Sequence, residues 1–208
     1  MDKNEFKKIL FKVAFCTMAC DGHIDDHEVE ELKIMDKNTS FFEAVDLSDE
    51  LEQLIKDLKN KGTKVIEELF ISLKKTKLSP IQELLVLEVA LRIINADDKH
   101  DENEIKFIHL LRSKLELHDE TINDRFGELD ILYTNEYSRN IVAGKTEIEF
   151  AENVKLPEIS ELIQVDLTDK KKESLNAKAI HICNSHKLTH SPKIAKEYVL
   201  PTHGEPVE

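Results

Sequence analysis

The sequence predicts an all-α fold: an internally duplicated helical bundle of about seven helices with an approximate two-fold relation between its halves. A C-terminal extension with a weak mixed α/β signature follows. Three observations lead there. Helix formers (Leu, Ile, Glu, Lys, Ala) are abundant, while five Gly, five Pro and no Trp in 208 residues leave little turn chemistry for an all-β chain. Apolar residues recur three and four positions apart through most of residues 5–132. The stretch Ala19 to Val29 returns at Asn95 to Ile105, 76 positions later and without a gap.

The elements follow in order. Phe6, Ile9, Leu10, Val13, Ala14 and Thr17 place a core-facing helix over residues 5–19, and Gly22 suits a left-handed residue after its end. Asp25 stands three residues before Glu28, the spacing of a reciprocal helix cap, with Val29, Leu32 and Ile34 as the apolar stripe of that second helix. Residues 36–48 read as a loop carrying Phe41 and Phe42. Helical patterns resume over 48–59 and 63–77, separated by Gly62. Ser79-Pro80 opens a helix that is apolar on most sides, the expected centre of the core. A sixth helix begins at Asp101, and a seventh over 118–132 presents Ile122, Phe126 and Leu129. In the extension, Ile148 and Phe150 alternate with Glu147 and Glu149, and Ile163, Val165 and Leu167 alternate with their neighbours, a strand signal. Residues 169–184 read as a helix and the chain beyond Pro192 as an extended tail.

Charge divides the chain in the same way. Residues 1–134 hold 30 Asp/Glu against 19 Lys/Arg, whereas residues 135–208 hold 12 against 10. Two modules are therefore expected, a helical domain over 1–134 and an extension over 135–208 that binds a partner or packs on the helices. A net charge of −13 disfavours DNA and anionic membrane as partners, since both require clustered Lys and Arg. No segment approaches membrane-spanning length, and the run Val13–Cys20 is too short for a signal peptide. Three cysteines make a poor disulfide framework, so a cytoplasmic location is expected.

The duplicated stretch carries the chemistry. Each copy has Asp at its first key position, Asp four later and Glu three later still: Asp21, Asp25 and Glu28, then Asp97, Asp101 and Glu104. Hard cations such as Ca²⁺ and Mg²⁺ need several oxygen ligands, which a sharply turning acidic loop can supply. Capping alone explains Asp25/Glu28 and Asp101/Glu104, because helix N-termini want acceptors and acid. It does not explain Asp21 and Asp97, which follow helix C-termini where the dipole disfavours negative charge. A bound cation, a partner's basic group, or hydrogen bonds to the loop's own amides would each account for them. An EF-hand is excluded. Counting from Asp21, position 6 is Asp26 and position 12 is Leu32; from Asp97 they are Glu102 and Ile108.

With those residues in view, the chain resembles the TerB-like family, a tellurite-resistance and stress-response helical domain whose repeated signature is close to Ala-Asp-Gly-x-Ile-x-x-x-Glu. Asp21, Gly22, Ile24 and Glu28 match the first copy, with Cys20 inserted after Ala19. Ala96, Asp97 and Glu104 match the second, where Asp98 and His100 replace Gly and Ile. The resemblance covers roughly residues 5–132 and none of 135–208. It implies a duplicated, non-catalytic, metal-binding helical module working with other proteins of a stress-response or phage-defence system.

Other candidate chemistry is thinner. Cys16 and Cys20 lie four apart on one helix, where buried small residues outweigh a soft-metal pair. His181, Cys183, His186 and His190 form a denser group, but their spacings match no standard zinc module, so Zn²⁺ is disfavoured against a solvated surface. Lys170–Lys172 reads as a solvated basic run. There is no Gly-rich phosphate loop, nucleophile elbow or His-Glu-x-x-His, so no enzyme is expected. The reading is a cation-binding module using Ca²⁺ or Mg²⁺, with a metal-free acidic adaptor as the alternative and a metal-dependent hydrolase a distant third.

Overall fold

Two apolar helices packed on each other organise the structure. In the computed structural model, which describes residues 2–97, 99–133 and 145–167, α1 (Lys3–Met18) lies along α5 (Pro80–Ile94). Val13, Ala14, Val86, Leu87, Val89, Ala90 and Ile93 are buried between them and their neighbours. Around this pair stand α2 (Asp26–Asn38), α3 (Leu47–Lys61), α4 (Lys64–Lys75) and α6 (Glu102–Arg112). Two short helices, α7 (Asp119–Phe126) and α8 (Asp130–Tyr133), follow, with α9 (Lys145–Asn153) and α10 (Ile159–Leu162) beyond them. The all-α class is thus observed, with ten helices among the described residues and no strand.

The helix starts are chemically explicit. Ser79 Oγ accepts the Gln82 amide while the Gln82 side chain accepts the Ser79 amide, and Pro80 occupies the first turn where no donor is missed. Between α2 and α3, Phe42 is fully buried and meets Phe11 edge-on at 6.2 Å, so the loop is anchored by the aromatic pair seen in the sequence. Ion pairs tie helices together. Arg92 of α5 holds Glu31 of α2 at 2.6 Å, and Arg125 of α7 holds Glu88 of α5 at 2.8 Å.

Four expectations need correction. Helix α2 continues to Asn38, so the loop is shorter than 36–48, and Met35 rather than Ile34 takes the buried position below Leu32. The helix expected over 118–132 is two helices, because Gly127 adopts φ +77° and ends the first of them after Phe126. The strand signal around Ile148 and Phe150 is overturned: these residues lie in α9, whose buried positions include Phe150 and Ala151, with Val154 beyond its end. Ile163, Val165 and Leu167 form no strand either, since Leu162 is the buried anchor and Ile163 is exposed. A short segment with acids between apolar residues satisfies both periods, and what lies beneath it decides.

Residues Lys145–Leu167, taken from sequence as part of the extension, pack on the helical bundle. Helix α9 lies on α4 and α6, with Phe150 against Phe107 at 6.3 Å, and α10 lies on α3. We call this segment the strap. The helix expected at 169–184, the tail beyond Pro192 and the run Lys170–Lys172 lie outside the described residues.

Candidate functional site

The six carboxylates of the two acidic loops make matching bonds to backbone amides. After α1, Asp21 Oδ1 accepts the His23 amide at 2.8 Å; after α5, Asp97 Oδ1 accepts the Lys99 amide at 2.9 Å. At the start of α2, Asp25 Oδ1 accepts the His27 amide at 2.7 Å and Glu28 Oε2 accepts the Asp25 amide at 3.0 Å. At the start of α6, Asp101 Oδ1 accepts the Asn103 amide and Glu104 Oε2 accepts the Asp101 amide, both at 2.7 Å. Both reciprocal caps expected from sequence are present. Each of the six carboxylates holds a backbone N–H with one oxygen. The puzzle of Asp21 and Asp97 therefore has a local answer, since each acid closes its own turn.

What the sequence could not show is that the loops lie close to one another. Glu28 and Glu104 are only 6% and 7% exposed, far more buried than surface caps ordinarily are. Burial pushes the Glu28 carboxyl up to about 8, reinforced by negative charge on Glu104, Asp21 and Asp25. Burial pushes Glu104 up to about 7, reinforced by Asp21, Asp97 and Asp101. Asp21 is half-buried and also raised, by desolvation first and by Asp101 of the other loop. All six predicted acids thus belong to one electrostatic neighbourhood, with Asp21 acting on both buried glutamates. Cys20, fully buried beside it, feels Glu104, Asp21 and Glu28.

Basic side chains lie at the rim. The Asp25 carboxyl is lowered chiefly by the His27 amide, with His27 and Lys99 adding to it, and His23 bears on Asp21. Among the described residues, the salt bridges pair neither Glu28 nor Glu104 with Lys or Arg. The donor set suits a hard cation, being carboxylate oxygen throughout. Yet no group of three or more His, Cys, Asp or Glu among the described residues is arranged to hold a metal ion. The cluster is a gathering of acids, each bonded to its own loop, rather than a preassembled cage.

Sequence reasoning missed one participant. Glu161 of α10 reaches the first loop and accepts the Ile24 amide through Oε1 at 2.9 Å, with His23 Nδ1 4.0 Å from the same oxygen. Beside this bond, Gly22 at φ +94° faces the strap so closely that a Cβ there would sit 3.2 Å from the Lys155 carbonyl oxygen. Nothing local marks either contact, because 137 residues separate Glu161 from Ile24. The group His181, Cys183, His186 and His190 lies outside the described residues. Cys16 and Cys20 are buried free thiols, as expected for core residues. No described helix is long and apolar enough to cross a membrane. Comparison with protein-family models, curated proteins and solved structures finds no match in any of the three.

Proposed function

We propose that this chain is a non-catalytic TerB-like module of the cytoplasm, duplicated in origin, that binds a divalent cation, Ca²⁺ or Mg²⁺, through Asp21, Asp25, Glu28, Asp97, Asp101 and Glu104. It would act with other proteins of a stress-response or defence system. The observation that carries this reading is the pair of buried glutamates, one from each loop, surrounded by acids and without an ion-pair partner among the described residues. Such a cluster is costly when ionised, and a hard cation relieves the cost by replacing protons with charge. The resident ion would supply positive charge and bring the two loops into one unit. The protein's own residues hold the loops in place by bonding their amides with one oxygen of each acid.

Thermal melting tests it. A cation present at ~100 times its dissociation constant adds about 2.7 kcal/mol, or roughly 5–10 °C for a chain of this size. Added Ca²⁺ or Mg²⁺ should raise the melting temperature of EDTA-treated protein, and Asp21→Asn should abolish the rise. Asparagine keeps an oxygen for the His23 amide, so the substitution removes charge without opening the turn.

A second reading is favoured by the turn bonds themselves. If amide bonding is all that Asp21 and Asp97 do, the loops form an acidic face for a basic partner protein. An unchanged melt with every divalent ion would leave that adaptor standing.

A further inference from the structure

The seat of the strap is aromatic and its occupant is short. Phe107 of α6 stands 5.4 Å from Phe70 of α4, and Phe150 of α9 closes on Phe107 at 6.3 Å. Phe150, its neighbour Ala151 and Val154, four positions on, are buried, while Glu149 and Glu152 are exposed. This is the pattern of an amphipathic helix laid on an apolar floor, with one aromatic anchor and a second apolar residue a turn later. Lys114, whose Nζ stands 5.8 Å from the Phe70 ring centroid, adds a positive charge that suits an acidic outer face.

The strap occupies this seat with few anchors. Its helices run to nine and four residues, too short to persist away from the bundle. Six acids against two lysines over residues 145–167 are laid in part across an acidic loop, where like charges repel. Beyond Val154, Leu162 is buried and Glu161 accepts the Ile24 amide. Such a segment belongs to the part of a structure that opens locally while the core stays folded.

We propose that the seat on α4 and α6 is a helix-docking site closed by the chain's own strap. When Lys145–Leu167 lifts, an amphipathic helix of a partner protein, with a Phe anchor and an acidic outer face like those of α9, takes its place. The strap is then an internal competitor, so the partner's affinity is scaled down by the fraction of molecules in which the seat is open. The seat works in this way whether or not the acid cluster holds an ion.

A fluorescein-labelled peptide of residues 145–167 serves as the partner helix, titrated into the full-length chain and followed by anisotropy. Two full-length variants weaken the strap at different points. Phe150→Ala withdraws its anchor, and Glu161→Ala removes the acceptor of the Ile24 amide and leaves the aromatic seat untouched. Against the parent chain, Phe150→Ala should bind the peptide about tenfold more tightly or better, and Glu161→Ala about threefold. A peptide carrying Phe150→Ala should bind none of the three chains. In the parent, hydrogen exchange over 145–167 should run ahead of exchange in α5. Failure of the peptide to bind either variant, equal binding to all three chains, binding that survives loss of the peptide's Phe, or strap exchange no faster than that of α5 would overturn the docking site. So would dimers of the variants that grow with concentration, since the seat would then belong to the strap of a second copy.

Discussion

Replacing Phe107 with alanine is expected to destabilise the protein by about 3–5 kcal/mol, the range for large aromatic truncations in cores. Phe107 is fully buried and sits between two other rings, Phe70 at 5.4 Å and Phe150 at 6.3 Å. Its loss removes apolar area and both aromatic contacts, and leaves a cavity under three helices (α4, α6 and α9) that cannot all collapse at once. Urea denaturation of the variant beside the parent measures the effect. A loss under about 1 kcal/mol would mean that the site repacks freely and that Phe107 is not the joint between bundle and strap.

Stability in EDTA is expected to fall as pH rises from 6.5 to 8.5. The sign follows from Glu28 and Glu104, whose carboxyls are pushed up from 4.5 to about 8 and about 7. In the unfolded chain both ionise near the ordinary value, whereas in the fold they keep their protons longer. Their contribution is complete below the unfolded value and is lost as pH passes through 7 and 8. At ~1.4 kcal/mol per pKa unit, the fall over this window is about 3 kcal/mol. Buried His109 pulls the other way, its pKa lowered by desolvation, but most of its contribution is gained below the ordinary value of 6.5, at this range's lower edge. Glu28→Gln should flatten the profile while preserving the cap, because its amide oxygen can still accept the Asp25 N–H. A profile that is level or rising from 6.5 to 8.5 would show that the glutamates are hydrated and the cluster unremarkable.

How much was legible depended on distance along the chain. The caps at Asp25, Ser79 and Asp101 were readable because donor and acceptor lie within three residues, so local chemistry settles them. The central place of α5 was readable from its apolar residues on nearly every side. The break at Gly127 had a signal, a glycine directly after Phe126, of the same kind that separated α3 from α4 at Gly62. The strap was misread in part because nine residues with alternating acids fit two periods, and only the aromatic floor made by Phe107 selects helix. The Glu161–Ile24 bond and the approach of the two loops were invisible, being products of packing between distant segments. Asp21 and Asp97 are instructive in another way. Their positions oppose the helix dipole, and the turn bonds that the sequence allows are the ones the structure forms.

The two buried sulfurs also settle what the acid cluster can do with soft chemistry. Cys16 is held at about 12 by desolvation, and Cys20 is raised by desolvation and then by Glu104, Asp21 and Glu28. At neutral pH a group titrating at about 12 supplies thiolate at a level on the order of one part in 10⁵, and the thiolate is the form that attacks oxidants or ligates soft ions. Electrophiles in solution therefore meet inert, walled-off sulfur. Reactivity at the neighbouring loops falls to their carboxylates and to the imidazoles of His23, His27 and His100.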